Sequence, residues 1–401
     1  MQTKIIIQRL SELPTAPTTI GTMAWNETGD WRYVTPAVAD KLAPFSQSCP
    51  AGIPIPRYLG AVNRGDVGGG LALLLAHNPL PGLTGRLCYH PCQTKCVRKK
   101  IDRTIAIQKM ERFLGDLAMD VTIEKSEKTD RRVTVIGSGP LGLSCAFYLG
   151  CRGYRVAVLD PSNQAGGALV ALSPGKIEPQ ALSHEINRLI RLADIRLETG
   201  AVIDFERLRR ELTSKADLVI MDPTGLSEDF CAPGGAVACN PFDDEALTGG
   251  IISVNLPQKL APFKAPMIAH YIAAGRMLAW KVSDGLRRGG REKPAPDLPP
   301  QAINIENIKI ELIPTSGPPA EKETRHDGTW DRERAMQEAE RCVSCGTCNL
   351  CLQCVSYCPD ASIWPDRENT TVAVDLDHCK GCGICAYECP RGVITMEDMS
   401  V

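Results

Sequence analysis

Two segments near the end of the sequence share one pattern of cysteines: CNLCLQCVSYCP (348–359) and CKGCGICAYECP (379–390). Both have the same spacing, C-x2-C-x2-C-x3-C followed by proline. Three closely spaced thiolates can reach three corners of one cubane, and the fourth cysteine of such a run ligates the other cluster. The repeat therefore predicts two [4Fe–4S] clusters whose ligands cross between the two runs.

The crossed pattern gives two ligand sets. One cluster is expected on Cys348, Cys351, Cys354 and Cys389, and the other on Cys379, Cys382, Cys385 and Cys358. Paired zinc knuckles or zinc ribbons are the competing interpretation. Two intact runs, each closed by proline, favour iron–sulfur clusters over zinc. The segment is therefore predicted to be an α+β ferredoxin domain of the bacterial type, over residues 336–401.

Two further cysteines precede the first run at the same spacing. Cys342 and Cys345 extend the segment to CVSCGTC (342–348) and make its register ambiguous. We prefer the later register because only that one keeps the x3-Cys-Pro ending. Two interpretations of the pair stay open: spare thiols, or thiols that help to bind another metal with ligands from elsewhere.

The composition limits the class of protein. The chain has 401 residues, a formal net charge of -2 and 18 cysteines, and these features do not suggest a nucleic-acid partner. Disulfide scaffolds are short and secreted, whereas this chain is long and shows no signal-peptide pattern at its start. No apolar run reaches the roughly 18 residues that span a bilayer. The expectation is a cytoplasmic protein with thiolates reserved for metal and no transmembrane segment.

Four more cysteines lie in the first quarter of the chain. Cys49 precedes a proline, and Cys88, Cys92 and Cys96 follow at x3 spacing. Four thiolates suffice for one cubane, but cysteines at x3 spacing are also found as buried structural residues. The spacing by itself leaves both interpretations open.

A glycine-rich turn follows a charged segment. RRVTVIGSGPLGLSCAFYLGCRGYRVAVLD (131–160) has the pattern strand, turn, helix, strand. Such a turn lets the backbone approach a pyrophosphate at a helix N-terminus, and an acidic residue about 20 positions later binds ribose hydroxyls. The candidate contacts are Gly137, Ser138, Gly139, Pro140, Leu141, Gly142 and Asp160. The pattern does not separate FAD from NAD, and an empty, degenerate site stays open.

The N-terminal sequence resembles a known family. Residues 28–59 and 77–116, which include NPLPGLTGRLCYHPC (78–92), resemble the N-terminal iron–sulfur domain of the glutamate synthase small-subunit family. Members are FAD-dependent flavoproteins that oxidise NAD(P)H, some with a fused ferredoxin domain. The resemblance implies a [4Fe–4S] cluster on Cys49, Cys88, Cys92 and Cys96. Phe45 stands where relatives often carry a further cysteine.

The same resemblance implies FAD at the glycine-rich turn. Gly166 and Gly167, in AGGAL (165–169), match the family's next flavin contact. Family members also carry a second glycine-rich domain for NAD(P)H, but the corresponding interval here, 216–255, has no G-x-G-x-x-G motif. The resemblance therefore implies a reduced Rossmann-type FAD-binding domain without a nicotinamide site.

The predicted fold class is α/β, in four parts. These are a helical [4Fe–4S] domain (1–125), a reduced Rossmann-type FAD-binding domain (126–290), a Pro-rich linker (291–335) and the ferredoxin domain (336–401). The predicted function is that of an electron-transfer subunit in a larger oxidoreductase, relaying electrons between a partner redox enzyme, FAD and the clusters. Two alternatives are a self-contained FAD-dependent ferredoxin or NAD(P)H oxidoreductase, and a scaffold with a vestigial flavin site.

Overall fold

The computed structural model of the chain describes most residues between 27 and 399. The described ranges are 27–117, 119, 121–172, 175–203, 216–224, 237–239, 241, 250–256, 264–288, 308–309, 311 and 330–399. The chain forms two compact units, one of Met1–Ala39 with Cys348–Val401 and the other of Asp40–Thr347. Of the predicted Pro-rich linker 291–335, only residues 308–309, 311 and 330–335 are among the described residues.

The secondary structure is as follows. Within the described residues the α-helices are Pro44–Gln47 (α1), Ile55–Asn63 (α2), Val67–Leu75 (α3), Pro81–Leu87 (α4), Pro91–Thr94 (α5), Ile107–Asp116 (α6), Pro140–Cys151 (α7), Pro179–Ala193 (α8), Ile268–Arg288 (α9), Arg332–Glu340 (α10), Gln353–Ser356 (α11) and Ile384–Glu388 (α12). The strands are Val34–Val38 (β1), Arg132–Ile136 (β2), Arg155–Leu159 (β3), Arg196–Glu198 (β4), Leu218–Met221 (β5), Val237–Cys239 (β6), Gly250–Val254 (β7), Ile363–Asp366 (β8), Thr371–Val374 (β9) and Ile394–Asp398 (β10).

A parallel sheet forms the centre of the larger unit. Its strand order is β4-β3-β2-β5-β7-β6, and the paired strands all run parallel. Parallel strands covered on both faces read as continuous apolar runs. β5 follows this rule because all four of its residues are buried. The α/β architecture expected for this part of the chain is present.

Helices α7 and α9 pack closely in this unit. Helix α7 is buried on every side from Pro140 to Gly150. Gly275 of α9 lies against α7, where an added Cβ would overlap the carbonyl oxygen of Leu141 and lie 2.9 Å from the amide nitrogen of Cys145. The absence of a side chain at Gly275 therefore sets how closely the two helices approach.

A buried ion pair joins the N-terminal helices to the Rossmann-like part of the same unit. Glu185 of α8 accepts hydrogen bonds from the backbone N–H groups of Gly82 (3.1 Å) and Leu83 (3.3 Å) in α4. Arg188 pairs with Glu185 and donates to the carbonyl oxygen of Gly115 at 2.7 Å. Burial raises the pKa of Glu185 to about 7, although Arg188 and the two N–H groups oppose the shift. Helix α8 thus satisfies polar groups of α4 and α6.

The smaller unit combines residues from both ends of the chain. Strand β1 pairs antiparallel with β10, from Val34 opposite Asp398 to Val38 opposite Ile394. Strands β8 and β9 form a second antiparallel pair. The N–H of Gly29 donates to the carbonyl oxygen of Asp377 at 2.8 Å. Residues 27–39 therefore extend the C-terminal unit, whereas the domain bounds from the sequence stay predictions.

No helix within the described ranges is both long enough and apolar enough to cross a membrane.

We expect Gly275→Ala to destabilise the larger unit. The added methyl must displace the backbone of α7, and overpacking of this kind typically costs about 1–3 kcal/mol. The midpoint of thermal unfolding should fall. Gly175→Ala is the matched control, because no heavy atom of the described residues lies within 4 Å of a Cβ there. Equal midpoints for Gly275→Ala and the wild type would contradict this packing.

Candidate functional site: two cysteine centres, a third thiol group and a glycine-rich turn

One group of four cysteines surrounds a cavity in the smaller unit. Its members come from both runs: Cys348, Cys351, Cys354 and Cys389. Arg391 also lines this cavity, and its Nε and Nη1 atoms are buried with no hydrogen-bond partner among the described residues. A buried guanidinium needs an anionic partner. A cluster with four thiolate ligands supplies negative charge, so the residues present fit such a group.

A second cavity in this unit is lined by the remaining four cysteines. These are Cys358, Cys379, Cys382 and Cys385. The structure thus brings together the members of each predicted ligand set, with one cysteine exchanged between the runs.

The backbone around the two cavities repeats. Leu350 and Leu352, on either side of Cys351, have positive φ angles of 57° and 63°. Gly381 and Gly383, on either side of Cys382, have φ angles of 71° and 78°. Non-glycine residues seldom adopt this conformation because of steric strain. The first run therefore holds two leucines in the shape that the second run reaches with glycine.

Burial favours the protonated form of two of these thiols when no metal is bound. It raises the pKa of Cys354 to about 12 and that of Cys385 to about 11, and neighbouring cysteines add to both shifts. Metal ligation requires thiolates, so cluster binding must release these protons. The N–H of Val393 lies 3.4 Å from the Cys389 sulfur and can donate to it. Such N–H···S bonds adjust cluster potentials.

Three of the four N-terminal cysteines form a third group, in the larger unit. Burial raises the pKa of Cys49 to about 11 and that of Cys88 to about 12, and the Glu111 carboxylate raises both further. Glu111, Cys49 and Cys88 also raise the pKa of Cys92, after burial. The hydroxyl of Tyr58 is buried there with no hydrogen-bond partner in the described part of the chain. This orphaned donor fits a site that receives thiolate sulfur or another acceptor.

Glu111 is a residue of this group that the sequence analysis missed. Its Oε2 accepts from Thr84 Oγ1 at 2.6 Å and lies 3.5 Å from His90 Nε2. His90 is itself buried and has a positive φ of 49°. A signal was present in the sequence, because Glu111 follows Ile107 by four positions on the apolar face of α6.

Cys96 has different neighbours from the other three. Arg341 lowers and Glu338 raises the pKa of its thiol, although burial, the largest cause, raises it overall. Cys342 and Cys345 belong to the same unit as Cys96, and Cys345 is fully buried.

Within the described residues, no three His, Cys, Asp or Glu side chains converge closely enough to hold a single metal ion. The ligands of a cubane bind separate corners of a cluster, so they stand farther apart than the ligands of one ion.

The glycine-rich turn has the expected backbone. It joins β2 to α7, with Gly137 at φ 97° and Pro140 as the first residue of the helix. Asp160 follows β3, but its carboxylate is fully buried. It accepts from Ser138 N–H (2.7 Å), from Ser138 Oγ and from Ser162 N–H (2.8 Å). Ser138 Oγ in turn accepts from the N–H of Gly166 at 2.8 Å. These donors are therefore already used within the chain.

A second carboxylate lies at the N-terminus of α7. Asp222, directly after β5, accepts from the N–H of Gly142 at 2.8 Å and from Thr224 N–H and Oγ1 at 2.9 and 2.6 Å. It is fully buried, and burial raises its pKa to about 6. A Cβ on Gly139 would lie 2.6 Å from Asp222 Oδ2 and overlap Thr224 Oγ1. The chain's own acid therefore occupies the position where a helix N-terminus attracts an anion.

These two carboxylates affect whether the turn can bind the FAD that the resemblance implies. A ribose needs a free acidic acceptor, and a pyrophosphate needs free N–H donors without a fixed anion beside them. Asp160 already accepts three hydrogen bonds from Ser138 and Ser162, and Asp222 adds negative charge beneath the turn. As arranged, these residues do not fit FAD.

Three family models match successive parts of the chain. The first, described as dihydropyrimidine dehydrogenase domain II, 4Fe-4S cluster, matches residues 40–123. The second, an NAD(P)-binding Rossmann-like domain, matches residues 135–172. The third, a 4Fe-4S dicluster domain, matches residues 347–393. The predicted fold class is confirmed in these three parts.

Curated relatives share part of this arrangement. The NADPH-Fe(3+) oxidoreductase subunit beta of Geobacter sulfurreducens is 29% identical over 45% of this chain and 28% of its own length. The NADP(+)-dependent formate dehydrogenase subunit beta of Moorella thermoacetica is 25% identical over 68% of this chain and 42% of its own length. The glutamate synthase [NADPH] small chain of Bacillus subtilis is 31% identical over 44% of this chain and 37% of its own length.

The chain thus spans less than half the length of each of these relatives. The resemblance to the glutamate synthase small-subunit family is confirmed over part of the chain, which is similar to the beta and small subunits of such oxidoreductases and has an N-terminal 4Fe–4S domain, a Rossmann-like domain and a C-terminal 4Fe–4S dicluster domain.

Proposed function

We propose that this chain is an electron-transfer subunit of a larger, cytoplasmic oxidoreductase and passes electrons between a partner redox enzyme and its own clusters. The observation that carries the proposal is the grouping of eight cysteines around two cavities in one compact unit. When bound, the clusters supply one-electron transfer. Reduced thiols of this number suit a reducing compartment.

The chain's own residues hold the centres and adjust their surroundings. Eight thiolates supply the ligands, and the peptide N–H of Val393 and the guanidinium of Arg391 oppose the negative charge near Cys389. Cys351 and Cys382 are exposed, so each centre has a side that faces solvent or a partner. An exposed edge shortens the path for an electron to or from another protein.

The N-terminal cysteines add a third centre to this proposal. Cys49, Cys88, Cys92 and Cys96 are the ligands that the resemblance implies, and the family model over residues 40–123 supports a 4Fe–4S cluster in this segment. Such a centre would receive electrons from, or pass them to, a partner subunit. The direction of flow depends on the potentials of all three centres.

FAD is left out of this relay. Asp160 and Asp222 already use donors that a dinucleotide requires, so no electron-transfer step is assigned to a flavin. The same observation favours one alternative from the sequence, in which the Rossmann-like part is a scaffold with a vestigial flavin site. A fold of this kind does not by itself imply a bound nucleotide. Helix α8, tied to α4 and α6, supports such a positioning role.

We expect Cys382→Ala to remove one C-terminal cluster and to weaken the other. The crossed ligands join both clusters to one fold, so the anaerobically reconstituted variant should lose at least roughly four iron atoms per chain. Cys151→Ala, a change outside the three thiol groups, is the control and should keep its iron. An unchanged iron content in Cys382→Ala would refute the ligand assignment.

We also expect that neither NADH nor NADPH will reduce the isolated chain, whereas dithionite will. The interval 216–255 has 40 residues, and its described strands β5, β6 and β7 all pair within the main sheet. A separate βαβ unit for a nicotinamide nucleotide needs about 30 residues of its own.

The measurement is anaerobic titration with each reductant, followed by the visible absorbance of the clusters. If NADH or NADPH bleached this absorbance stoichiometrically, the alternative of a self-contained oxidoreductase would be supported instead.

A further inference from the structure

Cys342 and Cys345 lie outside the matched family models. The N-terminal 4Fe–4S model ends at residue 123, and the dicluster model begins at residue 347. In the structure both cysteines belong to the unit Asp40–Thr347, which also holds the N-terminal cysteines. Their position in the sequence, next to the ferredoxin-type run, therefore differs from their position in the fold.

Hydrogen bonds fix this segment beside Cys96. Glu338, in the last turn of α10, accepts from the N–H of Ala106 at 2.8 Å. Arg341 donates to the carbonyl oxygen of Arg103 at 2.8 Å. In the opposite direction, Arg98 donates to the carbonyl oxygen of Arg341 at 2.9 Å. The guanidinium two residues after Cys96 thus holds the carbonyl group directly before Cys342.

The other end of the segment is also anchored. Gly346 has a φ of 71°, and its carbonyl oxygen accepts from the N–H of Lys41 at 2.7 Å. A Cβ on Gly346 would lie 2.5 Å from the carbonyl oxygen of Lys41, so the backbones are in close contact. Cys345, directly before this turn, is fully buried in the core that also contains Cys96. The short loop 342–346 is therefore held at both ends in the N-terminal part of the fold.

The charges around these thiols favour an anionic group. Arg98 and Arg341 are only 3% and 2% exposed. The Nε of Arg341 is buried with no hydrogen-bond partner among the described residues. Arg98 stands two residues after Cys96 and donates to the carbonyl group directly before Cys342, so one buried guanidinium connects the segments that carry the two thiols. Guanidinium groups stabilise thiolates.

We propose that Cys342 and Cys345, with Cys96 as the third thiolate, hold an iron–sulfur cluster in the N-terminal part of the fold. This rests on the proposed electron-transfer function. Cys96 then leaves the group of four that the resemblance implies, and Cys49, Cys88 and Cys92 stay together with Glu111. Two thiols at x2 spacing reach two corners of a cubane, and Cys96 reaches a third from a distant part of the chain.

The test compares the iron content of Cys96→Ser, Cys342→Ser and the double variant after anaerobic reconstitution. If both residues bind one cluster, each single variant loses roughly four iron atoms and the double variant loses no more. Low-temperature EPR of the reduced chains should keep the signals of the C-terminal clusters. Cys151→Ser is the control for a change to a half-buried cysteine outside the site.

Two results would overturn the assignment. One is full iron content in Cys342→Ser. The other concerns the double variants. If the iron lost in Cys342→Ser adds to the iron lost in Cys96→Ser but does not add to the iron lost in Cys348→Ser, Cys342 belongs to the ferredoxin-type centre. If Cys382→Ala also keeps all its iron, the proposed function fails as a whole, and that outcome is distinct from either result here.

Asp222 carries a second, independent inference. Its carboxylate accepts from the N–H of Gly142 in the first turn of α7, and with Thr224 it fills the space beside Gly139. We infer that Asp222 is a built-in anion that takes the place of a ligand phosphate and excludes dinucleotides from the turn. Its hydrogen bonds to Thr224 hold it in place without help from a ligand.

The test is the affinity for FAD, measured by equilibrium dialysis of wild type and Asp222→Asn. Removing the charge should tighten binding by about tenfold or more, the equivalent of about 1.4 kcal/mol. Asp217→Asn is the matched control. Asp217 lies directly before β5, at the opposite end of that strand from Asp222, and accepts a hydrogen bond from the backbone N–H of Arg132. Asp222→Ala is a second variant that also removes the charge, and circular dichroism verifies that each variant is folded. One FAD per wild-type chain, or unchanged affinity in both variants, would overturn the inference.

Discussion

An iron–sulfur cluster requires four ligands at fixed positions, and this requirement organises the smaller unit. Cys389 joins three cysteines that lie 35 or more residues earlier, while Cys358 joins three that lie more than 20 residues later. Neither set can form until both runs have folded against each other. The positive φ angles beside Cys351 and Cys382 serve the same requirement, because they curve the backbone around each cavity. Strained leucines are retained where the ligand geometry demands that shape.

Buried charge has the corresponding role in the larger unit. Glu185 and Arg188 satisfy backbone groups of α4 and α6, and the network around Arg341 satisfies groups that follow Cys96. Removing one partner from such a pair leaves an unpaired charge in the core, which typically costs about 3–5 kcal/mol. These contacts therefore fix the thiols of the N-terminal part relative to helices from distant parts of the chain. Rigid placement of ligands is what an electron-transfer centre needs.

In the Rossmann-like sheet, side chains of the chain itself occupy the surroundings of the glycine-rich turn. Its parallel strands and its glycine-rich turn are present, yet Asp160 accepts from the N–H of Ser138 and Asp222 accepts from the N–H of Gly142. A helix N-terminus attracts negative charge whether a phosphate or a side chain supplies it. In this chain the side chain does so, and the sheet keeps a structural role beside the cluster-binding segments.

Spacing within short segments was enough to predict the cysteine runs, their crossed grouping and the strand–turn–helix unit. It did not reveal that Val34–Val38 pair with the last strand, that Glu111 lies near three thiols, or that the residue before Cys342 is bonded to residues after Cys96. It also gave Asp222 no role, since the motif 137–142 reads the same with or without an acid beneath it. These features depend on contacts between residues far apart in the chain. Only the tertiary structure decides them, because local pattern carries no information about which distant side chain fills a given space.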